Sequence, residues 1–65
     1  MAFLTLDHLI DENGEVDRFI YGCLVRRRAM VEYGSLAPRA IREAVQHYGR
    51  VIPVLIAQRL TQRGR

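Results

Sequence analysis

Apolar and polar positions alternate with a helical period through the second half of the chain. Leu36, Ala40, Ile41, Ala44, Val45, Tyr48, Val51, Ile52 and Leu55 recur three and four residues apart, and Arg39, Arg42, Glu43, Gln46, His47 and Arg50 fill the intervals. At about 100° per residue the first set covers roughly half a helix circumference and the second set covers the rest. The pattern predicts a long helix over 35–61, begun by Ser35 or Ala37, with 62–65 as a frayed tail. Pro38 falls in the first turn, where amides lack intrahelical partners. Pro53 lies inside the stripe, and its ring presses on the carbonyl of Gly49. Because Val51, Ile52 and Leu55 keep the phase, the expectation is a kink near 49–53; a break at Gly49 with a separate final helix is the competing reading.

The first half reads as a second helix, 15–34. Glu15 opens it, Asp17 adds a favourable charge to its first turn, and Gly34 closes it. Val16, Phe19, Ile20, Cys23, Leu24, Met30 and Val31 make its expected core face, with Tyr33 at one edge. The connection to the long helix is so short that the two fold back on each other. Residues 1–14 are an N-terminal segment with two open readings: a short helix, Leu6 to Glu12, capped by Thr5 and stopped by Asn13-Gly14, or an extended arm. The fold class is therefore all-α: an antiparallel helical hairpin with a kinked second helix and a short N-terminal segment, in one domain spanning 1–65.

At 65 residues such a core is marginal, and small chains add disulfides, metals or a second subunit. Cys23 is the only cysteine, so an internal disulfide is excluded, and a lone thiol with two distant histidines makes no metal site. A homodimer is the remaining route. Beyond Pro53, Val54, Leu55, Ile56, Ala57 and Leu60 cover most of the circumference, more than one hairpin partner can bury, which nominates Val54, Ile56 and Leu60 for the dimer interface. The N-terminus lacks the basic start and long apolar run of a signal peptide, and the run 51–57 is too short to span a bilayer. The expectation is a soluble, cytoplasmic protein with no membrane partner.

Charge is unevenly spread. Residues 1–17 carry −5 and the rest +8, for a net charge of +3, and all ten basic residues are arginine. A GC-rich genome explains that choice blandly; selection for the bidentate guanidinium explains it functionally. The acidic segment is expected to fold against the basic one. Of the run Arg26-Arg27-Arg28, Arg27 points to the middle of the expected apolar face and Arg28 to solvent, so Arg27 must snorkel, pair with an acid such as Glu43, or meet a partner. Tyr21, Gly22, Val25 and Ala29 form a narrow second strip on the opposite side of the same helix, suited to protein docking or a second dimer contact. Tyr33 is either a packing residue or an exposed anchor, and Tyr48 packs. His47 reads as a solvated surface residue and Cys23 as a small buried hydrophobe.

Catalysis has no support: there are no paired carboxylates on one face, no nucleophile with a base, no phosphate-cradling loop and no metal spacing. No cofactor and no small-molecule substrate are expected. Nucleic acid is a rival partner, because Arg39, Arg42, Gln46 and Arg50 share the outer face of the long helix and could track phosphates in a symmetric dimer. A helix–turn–helix drawn about Gly34 fits poorly, since Glu43 falls where an apolar residue belongs. The favoured reading is stoichiometric binding to a protein through Tyr21, Val25, Arg27, Arg28 and Tyr33.

The stretch CLVRRRAMVEYGSLAPRAIREAVQHYGRVIPVLI, residues 23–56, resembles very small helical-hairpin proteins of bacteriophages, in particular anti-activators of quorum-sensing regulators of the LuxR type. The likeness lies in size, in a hairpin about a tyrosine-glycine turn and in arginine-rich composition. It implies a homodimeric, non-enzymatic inhibitor that occludes the DNA-binding surface of a host transcriptional regulator.

Overall fold

The computed structural model describes residues 6–63, in three helices: α1 (Leu6–Leu9), α2 (Arg18–Tyr33) and α3 (Pro38–Arg63). The chain is all-α. Among the described residues the one extended feature is an isolated antiparallel bridge between Ile10 and Val16.

That bridge follows from the turn before it. The Asp11 carboxylate accepts the amides of Asn13 (2.8 Å) and Glu15 (2.9 Å), and Gly14 takes a positive φ of 81°. A short acidic side chain that captures its own downstream amides competes with helix continuation. So α1 ends at Leu9 rather than Glu12, and Glu15 lies in the turn rather than opening a helix. The chain then doubles back: the Asp17 amide donates to the Leu9 carbonyl (2.8 Å). Asp17 is also the N-cap of α2, its Oδ1 accepting from the Ile20 amide at 3.0 Å, which sets the start at Arg18 instead of 15. The expected cap at Thr5 and the arm before it lie outside the described residues.

Gly34, at φ 62°, donates its amide to the Met30 carbonyl and closes α2. Ser35 Oγ accepts from the Ala37 amide, turning the chain into α3. This last helix starts at Pro38 rather than 35 and runs without interruption through Pro53 to Arg63, so the separate final helix is excluded and the helix outlasts its expected end at 61.

The core joins Leu9 and Ile10 of the N-terminal hook, Leu24, Val25 and Ala29 of α2, and Ala40, Ala44 and Tyr48 of α3. Three of the eight are alanine, which lets helices approach closely but buries little area. Tyr21 meets Tyr48 edge-on, ring centroids 6.2 Å apart. The buried arc of α2 is turned by about 130° from the one its sequence suggests. Phe19 (74% exposed), Met30 (50%) and Val31 (76%) face solvent, and Cys23 is half-buried rather than buried. Tyr21 and Val25 belong to the core and its margin, not to an outward docking strip. The physical reason is that α2 covers both the hook and α3, so its buried side is the one those two share; apolar residues nearly encircle α2 and do not select a face themselves. Leu36, in the connection before α3, and Val45, on α3, stay exposed, and His47 is half-buried against the Tyr48 ring (5.1 Å) rather than solvated.

The molecule measures 41 × 28 × 16 Å with a radius of gyration of 12.7 Å. Its shortest dimension is about one and a half helix diameters, so the hairpin is one layer thick.

Candidate protein-interaction site

The orientation of α2 leaves one side of that helix facing solvent. With Leu24 and Val25 turned inward, Phe19, Cys23, Arg26, Arg27, Met30 and Tyr33 fall on a contiguous outward arc along the whole helix. Phe19, Arg26 and Tyr33 follow one another at intervals of seven; Met30 and Cys23 lie beside them. All are exposed except half-buried Cys23, and no carboxylate lies among them. Aromatic residues, methionine and arginine without acids is the composition enriched in buried protein contacts.

Arg27, expected at the centre of the core face, is exposed and has no acidic partner among the described residues. Arg28, expected in solvent, is half-buried and sits 3.8 Å from Glu32 one turn later. Arg28 is thus engaged within its own helix, while Arg26 and Arg27 remain available. The sequence reasoning missed Phe19, Arg26 and Met30 because their spacing is equally consistent with burial.

At the tip of the hairpin, Tyr33 (51% exposed) ends the arc and borders an open hollow of about 410 Å³, shared with Ser35, Ala37, Arg39, Ala40 and Glu43. Arg39 and Glu43 give the lining of the hollow one charge of each sign.

The outer side of α3 presents Arg39, Arg42, Gln46 and Arg50, all exposed, with exposed Glu43 among them. This is the surface expected for phosphate contact, and the structure brings its four members to one side of one helix.

Farther along, the expected dimer residues separate. Ile56 is half-buried and packs against the core, so it is withdrawn from the interface. Leu60 is 48% exposed and its flank lies over Gly14, where an added Cβ would meet it at 3.4 Å. Val54 is 55% exposed. Arg59 is half-buried and donates from one guanidinium nitrogen to the carbonyls of Asp7 (3.1 Å) and Ile10 (3.2 Å). The link from the acidic segment to α3 made by Arg59 therefore uses main-chain oxygens rather than carboxylates.

Among the described residues no group of three His, Cys, Asp or Glu side chains could hold a metal, and no helix is long and apolar enough to cross a membrane. Compared with known proteins, the chain matches no family model, no curated protein and no solved structure.

Proposed function

We propose that this protein is a non-enzymatic binding protein that inhibits a host regulatory protein stoichiometrically, through the outward arc of α2. The observation that carries the reading is the exposure of Phe19, Met30 and Tyr33 on one side of a helix that also holds Arg26 and Arg27 and no acid. Isolated exposed apolar residues are ordinary; a helix-long aromatic and methionine strip is not. The arginines give the strip a positive potential, which favours an acidic amphipathic partner and steers its approach. Within the earlier resemblance, that partner is a transcriptional regulator, occluded in the cytoplasm by a pair of copies. The test is co-purification from bacterial lysate using the intact chain. A single stoichiometric partner, lost in Phe19→Ala and Tyr33→Ala and retained in Arg42→Ala, is the expected result. Retention by Phe19→Ala and Tyr33→Ala would remove the arc from the interface.

A second reading, a dimeric nucleic-acid-binding regulator, is favoured by the exposure of Arg39, Arg42, Gln46 and Arg50 along one side of α3. It requires a gel shift with random duplex DNA that weakens steeply with salt and further weakens in Arg42→Ala and Arg50→Ala. Glu43 within that row argues against it, because a carboxylate beside phosphates is repelled.

A further inference from the structure

We infer that two copies of the chain pair through the exposed side of α3 centred on Ala57, with the two helices antiparallel about a two-fold axis that passes beside that residue. This rests on the reading that the protein acts as a pair, and adds the surface and the geometry.

Pro53, Val54, Ala57, Leu60 and Thr61 stand at i−4, i−3, i, i+3 and i+4 about Ala57, hence on one side of the helix, and all five are exposed. None is charged. Pro53, Val54, Ala57 and Thr61 share a predominantly apolar hollow bordered by Gln58. Thr61 does not spoil this, because its hydroxyl donates to the Ala57 carbonyl at 2.8 Å and so is already satisfied within the helix. Pro53 has no amide to satisfy. Arg59, the nearest basic side chain in sequence, is turned away into the carbonyls of Asp7 and Ile10.

Charge decides which surface can meet its own copy. On a two-fold interface a residue beside the axis faces itself, so a charge there is repelled by its duplicate. The α2 arc, with Arg26 and Arg27 at its middle and no acid, fails that condition. The Ala57 side meets it. Antiparallel pairing sets Val54 opposite the partner's Leu60 and Pro53 opposite the partner's Thr61, while the small Ala57 lets the axes approach closely. Arg50 lies seven residues from Ala57, about 10 Å along the helix, so it stands at the end of the contact and away from the axis.

The experiment is sedimentation velocity of the full chain at tens of micromolar, with far-ultraviolet circular dichroism on each variant. Wild type is expected as a dimer, Ala57→Arg as a folded monomer, and Phe19→Arg as an unchanged dimer. A second measurement decides even if Ala57→Arg unfolds: in a Cys23→Ser background, Ala57→Cys is expected to form a disulfide-linked dimer on mild oxidation, because the two positions face each other across the axis, whereas Leu36→Cys is not. A monomeric wild type overturns both the pairing and its geometry. A dimer that survives Ala57→Arg, or an Ala57→Cys chain that fails to cross-link, overturns the geometry alone.

Discussion

Replacing Leu24 and Phe19 separately by alanine tests the orientation of α2, on which every surface described above depends. Leu24 is 1% exposed and is one of the two largest fully buried side chains; Phe19, one turn and a little more before it, is 74% exposed. Leu→Ala at a buried site costs about 2–5 kcal/mol, and a one-layer molecule can settle partly into the gap, so about 3 kcal/mol is expected. Against a total of about 3–10 kcal/mol for a chain of this length, that is a third or more of the stability. Phe19 keeps only about a quarter of its surface covered, on the order of 50 Å², worth about 1 kcal/mol at 25 cal/mol per Å². The better helix propensity of alanine, about 0.5 kcal/mol, offsets part of this. Urea unfolding followed by circular dichroism at one fixed chain concentration measures both. With a slope near 1 kcal/mol/M, the midpoint falls by about 3 M in Leu24→Ala and by less than about 1 M in Phe19→Ala. The stripe Val16–Phe19–Ile20–Cys23–Met30 as core would make Phe19→Ala the damaging change. Equal losses, or a larger loss at Phe19, refute the orientation.

Three further outcomes follow from single contacts. Arg59→Gln removes the charge-assisted bonds to the Asp7 and Ile10 carbonyls and is expected to cost about 1–3 kcal/mol, seen as faster amide exchange around residues 9–17 with α2 and α3 still protected; unchanged exchange there would show the contact to be idle. The two glycines at Gly34 and Gly49 make a matched pair, since an added Cβ meets nothing at either. Gly34→Ala should lower stability by about 1 kcal/mol because of its left-handed φ, whereas Gly49→Ala should raise it by about 0.5–1 kcal/mol, and thermal melts returning the same sign for both would contradict the backbone assignment. Asp17→Ala should cost about 1 kcal/mol in urea titration through loss of the α2 cap, and Asp17→Asn much less.

The hairpin was legible because its punctuation is local. Gly34 as a left-handed stop and Pro38 in a first turn are properties of two residues each, and both stand where the sequence places them. The long stripe on α3 was legible for another reason: Ala40, Ala44 and Tyr48 sit opposite a continuous polar row, so one face is distinguished from the other. The first helix offers no such contrast. Phe19, Ile20, Cys23, Leu24, Val25, Met30 and Val31 nearly encircle it, and tertiary contact chooses among them. What chose was the hook, Leu9 to Val16, whose backbone bonds tie it to the start of α2. Its turn was signalled by Asn13-Gly14, but the capture of amides by Asp11 and the capping role of Asp17 were hidden among five acids that read equally well as a charged surface. Arg59 was hidden likewise, because nothing in its neighbours marks a guanidinium destined for main-chain carbonyls 49 and 52 residues earlier.

The Ala57 side of α3 and the outward arc of α2 differ in the one property that decides self-recognition. The Ala57 side of α3 is neutral and can lie against its own copy; the α2 arc is cationic and is repelled by its own copy, leaving it to an acidic partner. Because they occupy different helices, using one does not consume the other. A pair formed through α3 therefore carries two identical α2 arcs related by the same two-fold axis. A partner that is itself two-fold symmetric, as many regulators are, would meet both arcs, and the second contact would form at the millimolar effective concentration of a tethered site. Avidity of this kind raises affinity without enlarging either patch, which suits a chain with so small a core and so little area to commit. It also sets a consistency condition on the two proposals. Ala57→Arg should weaken partner capture by far more than its distance from the α2 arc suggests, while a monovalent fragment of that partner should bind wild type and Ala57→Arg equally well. Equal loss of both would place the partner on α3 and join the two surfaces into one.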